Sequence, residues 1–95
     1  MYVVVRQYEG ASALADVMAD EAAAADVKEV LSGVQGFVAY YAAREGDSVT
    51  TVSICQDRAG AEETTKQAGA LVQKYLPGTT MSPPRVGTGE VILNF

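Results

Sequence analysis

Histidine and tryptophan are absent from this chain of 95 residues, and cysteine occurs once. Histidine is the commonest general base and a very common metal ligand, so its absence excludes most metal centres and most catalytic triads. A single cysteine cannot form a disulfide within the chain, which agrees with a reducing compartment. The sequence therefore predicts neither a metal nor a bound cofactor.

Basic residues are also scarce, because seven Lys and Arg stand against 12 Asp and Glu, for a net charge of −5. Binding to a nucleic-acid backbone depends on clustered Lys and Arg, and no such cluster occurs here. The chain has no apolar run long enough to span a membrane, and its first residues, MYVVVRQYEG, lack the pattern of a signal peptide. We therefore expect a cytoplasmic protein that binds neither nucleic acid nor membranes.

The composition that remains is typical of one folded domain, with 48% hydrophobic and 20% charged residues. Strand-like segments rich in Val, Ile, Thr and Tyr alternate with helix-like segments rich in Ala. The predicted elements are a strand at Tyr2–Tyr8, a helix from Ser12 to Ser32, a hairpin of Phe37–Arg44 and Val49–Gln56, a helix capped by Asp57, and a last strand at Gly89–Phe95. This order predicts a single α+β domain over residues 1–95 with a ferredoxin-like fold, in which two helices cover one face of a four-stranded antiparallel sheet.

Alternation along the strands divides their side chains between the two faces of the sheet. Val52 and Ile54 are the apolar set of their strand, so we expect them beneath the helices, together with Phe37, Ala39 and Tyr41 of the preceding strand. The uncovered face would then carry Val4, Arg6, Tyr8, Val38, Tyr40, Thr51, Ser53 and Cys55. Such a face is too apolar to stay open to water, which predicts a homodimer whose two sheets face each other and enclose a cavity.

At this level of detail the chain resembles a known family. The run VQGFVAYYAAREGDSVTTVSICQDRAGAEETTKQAGALVQKYLP, preceded by YEGAS and followed by TGEV, is similar to small bacterial proteins of the antibiotic-biosynthesis-monooxygenase-like family. The resemblance implies a dimeric α+β barrel. The superfamily includes cofactor-independent oxygenases of aromatic substrates, haem-degrading enzymes and lactone isomerases. This chain lacks the Trp and His that such enzymes often use, and Asn94 is its only asparagine.

Five residues are predicted to bind a small organic ligand in the cavity between the two sheets: Arg6, Tyr8, Tyr40, Ser53 and Cys55. The planar guanidinium of Arg6 suits an anion, and the tyrosines suit stacking and hydrogen bonding. Each residue also has a purely structural interpretation, as an ion-paired arginine, as core tyrosines, or as a buried cysteine.

Two functions therefore stay open. One is a cofactor-independent monooxygenase-like or aromatic-ligand-binding protein, and the other is a non-catalytic structural or ligand-binding dimer. An RNA-binding sheet is disfavoured by the acidic charge.

Overall fold

Four strands and three helices follow one another in the order β-α-α-β-β-α-β, and the computed structural model describes all 95 residues. The elements are β1 (Tyr2–Tyr8), α1 (Ser12–Ala19), α2 (Glu21–Ser32), β2 (Phe37–Glu45), β3 (Ser48–Cys55), α3 (Arg58–Tyr75) and β4 (Arg85–Glu90). The strands form one antiparallel sheet in the order β2-β3-β1-β4. The predicted ferredoxin-like α+β fold is confirmed.

The first helical segment is divided into two helices, where the sequence predicted one. Asp20 ends α1 in an extended conformation (ψ 127°) and caps α2, because its carboxylate accepts a hydrogen bond from the Ala23 N–H at 3.0 Å. Ser12 is the first residue of α1 and makes no side-chain cap. Asp57 caps α3 as predicted, accepting from the Gly60 N–H at 2.8 Å.

The last strand lies earlier than predicted. The segment Arg85–Glu90 pairs with β1, whereas Val91–Phe95 lies outside the regular strand. The Val91 N–H still donates to the Met1 carbonyl at 2.8 Å, and beyond it Ile92 and Leu93 are 90% and 72% exposed. The hydrophobic run that predicted a strand is therefore an uncovered apolar tail.

The two faces of the sheet are the reverse of the predicted assignment. Arg6 and Tyr8 are only 1% and 4% exposed, and Arg6 reaches Thr64 and Thr65 of α3. The same helix-covered face takes most of the other residues predicted to lie outside, namely Val4, Tyr40, Thr51, Ser53 and Cys55. Hydrophobic alternation failed here because the polar side chains of β3 are buried as hydrogen-bond partners of a buried arginine.

A β-bulge in β2 decides the direction of its aromatic side chains. Phe37 pairs with Cys55 and Ala39 pairs with Ile54, so Val38 is an additional residue in the ladder and is 43% exposed. After the bulge, Tyr40 pairs with Ser53 and faces the helices, while Tyr41 is 64% exposed on the other side. The prediction for these two tyrosines was therefore wrong.

The face of the sheet that no helix covers is largely apolar. We call it the outer face; it carries Val3, Val5, Ala39, Tyr41, Val52 and Ile54 in neighbouring ladder positions. On the edge strand β4, Gly87 and Gly89 continue this face opposite Val5 and Val3. The predicted apolar, uncovered face therefore exists, but it is built from the other set of residues.

Candidate functional site

The guanidinium of Arg6 lies in the centre of the helix-covered side, surrounded by four hydroxyl groups. Its Nη1 donates to Thr51 Oγ1 at 3.3 Å and to Ser53 Oγ at 3.2 Å, both on β3. Its Nη2 donates to Thr64 Oγ1 at 2.9 Å and its Nε to Thr65 Oγ1 at 3.2 Å, both on α3. The arginine therefore ties the centre of the sheet to α3.

The local sequence explains how α3 comes so close. A Cβ at Gly60 would lie 3.0 Å from the Gln35 carbonyl oxygen and 3.1 Å from Cys55 Cβ, so glycine permits the first turn of α3 to rest on the sheet. One turn later, the Thr64 hydroxyl donates to the Ala61 carbonyl at 2.7 Å. That bond turns an acceptor lone pair of Thr64 towards Arg6.

Arg6 is a buried cation without a carboxylate partner. The three ion pairs of the chain involve Arg44, Arg58 and Lys74, and none involves Arg6. Burial lowers the pKa of Arg6, partly opposed by the influence of Tyr8, Tyr40 and Cys55. Arginine is rarely buried without an anion, so this environment is uncommon for a residue with only a structural role.

Two larger cavities and a narrow pocket follow one another along the helix-covered side. The apolar cavity, about 440 Å³, lies between α1, α2 and β2 and is lined by Met18, Ala24, Val27, Leu31, Phe37 and Tyr40 among others. The inner pocket, about 30 Å³, shares Tyr40 and Leu31 with the apolar cavity and also touches Tyr8. The polar cavity, about 460 Å³, lies on the other side of Tyr8, between α3, β4 and the loop at Thr79–Pro84.

The five residues predicted as ligand contacts occupy this region, on the opposite side of the sheet from the predicted cavity between two chains. Tyr40 lines the apolar cavity, Tyr8 lines the inner pocket and the polar cavity, and Arg6 lines the polar cavity. Ser53 and Cys55 are both 0% exposed and line none of these spaces. Ser53 acts on the site by holding Arg6, and ligand contact by Ser53 or Cys55 stays a prediction.

Burial controls the ionisation of the site. It raises the pKa of Tyr8 and of Tyr40, and Arg6 opposes the effect in both cases. Burial also raises the pKa of the Cys55 thiol, and the nearby Asp57 adds to that shift. Near neutral pH the tyrosines are therefore neutral hydroxyl groups, and Cys55 is not activated as a thiolate.

Sequence reasoning did not identify the residues of α3 that accept hydrogen bonds from Arg6, or the loop residues that line the polar cavity. Thr64 and Thr65 stand together in α3, and a pair of hydroxyl residues on the inward side of a helix is the pattern that points to a buried polar partner. The loop at Thr79–Pro84 carries no such pattern, because its position depends on how it packs over α3 and β4.

No group of three or more His, Cys, Asp or Glu side chains is arranged to hold a metal ion. Likewise, none of the helices is both long enough and apolar enough to cross a bilayer.

Comparison with known proteins supports the fold and not a particular activity. No family model and no curated protein matches the chain. Among solved structures, it is similar to SnoaB, a cofactor-independent oxygenase from Streptomyces nogalater, with 20% identity, a TM-score of 0.66, and coverage of 98% of this chain and 94% of SnoaB.

Two further structures show the same likeness. A dimeric ferredoxin-like protein from an uncultured marine organism has 15% identity and a TM-score of 0.69, covering 100% of this chain and 98% of that one. The heme-degrading protein MhuD from Mycobacterium tuberculosis, solved with two hemes bound in its active site, has 14% identity and a TM-score of 0.66, covering 100% and 99%. The resemblance seen in the sequence is confirmed at the level of the fold: this chain has the fold of the antibiotic-biosynthesis-monooxygenase-like proteins.

Proposed function

We propose that this protein binds a small aromatic molecule in the apolar cavity. The observation that carries the proposal is the cavity itself, which at about 440 Å³ falls within the size range of small-molecule sites. Seven of its nine lining residues are hydrophobic, and Phe37 and Tyr40 offer aromatic surfaces for stacking. Tyr40 also lines the inner pocket, so its ring separates a ligand in the apolar cavity from Tyr8, which lines the inner pocket and not the cavity.

We propose further that the protein works as a homodimer joined through the outer face. Tyr41 is 64% exposed there, next to Val52 across the ladder, and an apolar surface of this kind is typical of a protein interface. The similar marine protein is described as dimeric. In this arrangement each chain keeps its own ligand cavity, because the cavity lies on the opposite side of the sheet from the outer face.

Binding of 1-naphthol, followed by its own fluorescence, tests the ligand proposal. We expect saturable binding to the wild-type protein. The variant Ala24→Phe fills the cavity with a large ring and should abolish binding, whereas Ala25→Phe, the next residue of α2 and no part of the lining, should preserve it. Equal binding by the two variants, or no saturable binding by the wild type, would contradict the proposal.

A second candidate is oxygenation of the bound aromatic molecule without a cofactor. The fold shared with SnoaB, a cofactor-independent oxygenase, favours it. Oxygen uptake in step with loss of 1-naphthol, in the presence of a chelator and without added flavin or metal, would support this activity. Binding of naphthol without oxygen uptake would favour a non-catalytic ligand-binding dimer.

A further inference from the structure

The polar cavity differs in chemistry from the apolar cavity and lies apart from it. It measures about 460 Å³ and has only four hydrophobic residues among its twelve lining residues. The lining includes Arg6 and four residues with hydroxyl or amide side chains, Thr65, Gln73, Thr79 and Ser82. Tyr8 and Val72 form the wall shared with the inner pocket.

Arg6 brings a complete positive charge to this cavity while having only neutral hydrogen-bond partners. A guanidinium has five N–H groups, and four of them donate to Thr51, Ser53, Thr64 and Thr65. One N–H of Nη2 is left without an acceptor in the protein. The side chain is 1% exposed, so bulk water compensates little of its charge.

No other group of the chain supplies the missing negative charge. The titratable groups that influence Arg6 are Tyr8, Tyr40 and Cys55, which are neutral acids near neutral pH, and no carboxylate lies within 4.0 Å. An arginine cannot relieve the cost by losing its proton under ordinary conditions. We infer that the polar cavity is a binding site for the carboxylate of a small organic acid, with Arg6 as its counter-ion.

The lining favours a singly charged carboxylate over phosphate or sulfate. Arg6 is the only cation among the lining residues, and a phosphate dianion would leave one negative charge without a partner. Apolar walls at Met81, Pro83 and Val86 suit the carbon chain of the acid. The net charge of −5 further disfavours multiply charged anions.

An NMR titration with sodium butyrate tests the site, with butyramide as the uncharged ligand of the same shape and NaCl to hold the ionic strength constant. In ¹⁵N-labelled protein, butyrate should shift the Arg6 Nε–H resonance and the backbone amides of Thr65, Thr79 and Ser82 with a saturable curve. Butyramide should leave them in place.

The variant Thr65→Asp supplies an internal carboxylate, because the Thr65 hydroxyl already lies 3.2 Å from Arg6 Nε. We expect it to weaken butyrate binding at least tenfold, to raise the thermal midpoint, and to leave 1-naphthol binding unchanged. Thr80→Asp adds the same charge at an exposed loop residue outside the cavity lining and should bind butyrate as the wild type does. Arg6→Met should lose butyrate binding while its amide spectrum shows whether the fold persists.

Three results would overturn the inference. The first is that butyrate and butyramide shift the resonances equally. The second is that a folded Thr65→Asp or Arg6→Met variant binds butyrate as tightly as the wild type. The third is that sulfate displaces butyrate at a lower concentration than acetate does. Each result is independent of naphthol binding, so failure of this site and failure of the apolar cavity are distinguishable.

Discussion

A single additional residue, Val38, decides which of two adjacent tyrosines faces the helices. Strand alternation before the bulge placed Tyr41 with Phe37, but the bulge puts Tyr40 on that side instead. The two tyrosines therefore have different roles, Tyr40 in the wall of the apolar cavity and Tyr41 on the outer face.

This difference predicts different effects for the two alanine substitutions. Tyr40→Ala should lower the free energy of unfolding by about 3 kcal/mol, because it removes a large half-buried ring from the layer beneath the helices. Tyr41→Ala should weaken dimerisation and change the stability of the separated chain by less than about 1 kcal/mol, as exposed substitutions usually do. Urea unfolding at several chain concentrations, with light scattering, separates the two effects. A larger loss of monomer stability for Tyr41→Ala would contradict the assignment of the faces.

Asp26 of α2 forms a link to α3 whose strength should depend on pH. Its carboxylate accepts from Lys74 Nζ at 2.6 Å and from the Tyr75 hydroxyl at 2.6 Å, and these bonds lower the pKa of Asp26. A lowered folded-state pKa gives stability that is complete above the unfolded value near 3.8 and is lost as the pH falls through the folded value. The same link raises the pKa of Lys74 and of Tyr75, so its contribution is also lost at strongly alkaline pH.

Thermal midpoints measured from neutral pH down to about pH 3 test this link. Asp26→Asn should lower the midpoint at neutral pH and should make the midpoint less sensitive to acid. Asp16→Asn is the matched control, because Asp16 has a 75% exposed side chain and only a 3.6 Å contact with Arg44. An acid response that Asp26→Asn leaves unchanged would show that the link contributes nothing.

At the scale of elements, the break between α1 and α2 depends on the cap at Asp20. Asp20→Ala should lower stability by about 1 kcal/mol, because the Ala23 N–H loses the acceptor at 3.0 Å. Asp20→Asn keeps an acceptor oxygen and should retain most of the stability. Chemical denaturation of the three proteins gives the comparison, and equal losses for Ala and Asn would show that Asp20 has another role.

At the scale of the whole molecule, Gly87 and Gly89 bear on the proposed contact between two chains. Both glycines lie on the outer face of an edge strand, and a Cβ at either position would meet nothing within 4 Å in the same chain. Glycine in a strand commonly marks the close approach of another backbone. The monomer gives no steric reason for these glycines, so their place on the outer face agrees with the proposed dimer.

Gly87→Val should therefore raise the dissociation constant of the dimer at least tenfold, equivalent to about 1.4 kcal/mol, without destabilising the separated chain. Thr88→Val is the control, since residue 88 lies opposite Val4 and so faces the helix side of the same strand. Sedimentation equilibrium measures the dimer dissociation constant of each variant. A wild-type chain that is monomeric at micromolar concentration would refute the dimer. An unchanged dissociation constant in Gly87→Val would show that the interface does not include Gly87.

The sequence by itself determined the fold class and most of the elements, because helix and strand periodicity and caps such as Asp57 act within a few residues. It did not show the break at Asp20 between α1 and α2, and it placed the last strand too late, because the apolar run at its end is not part of the regular strand. The sequence also identified Arg6, Tyr8 and Tyr40 as candidate site residues. A charged or large polar side chain in a strand of a small sheet is unusual on either face, so it could be recognised before its face was known.

Only the tertiary structure decided which face of the sheet the helices cover. Hydrophobic alternation assigns faces by polarity, and it fails where a buried Arg6 brings Thr51 and Ser53 inside with it. The direction of Tyr40 depends on a one-residue bulge whose position no periodicity records. The apolar cavity exists only where α1 and α2 pack beside β2, and the polar cavity only where α3 and the loop at Thr79–Pro84 pack beside β4. Such long-range packing is set by the whole chain and not by any one segment.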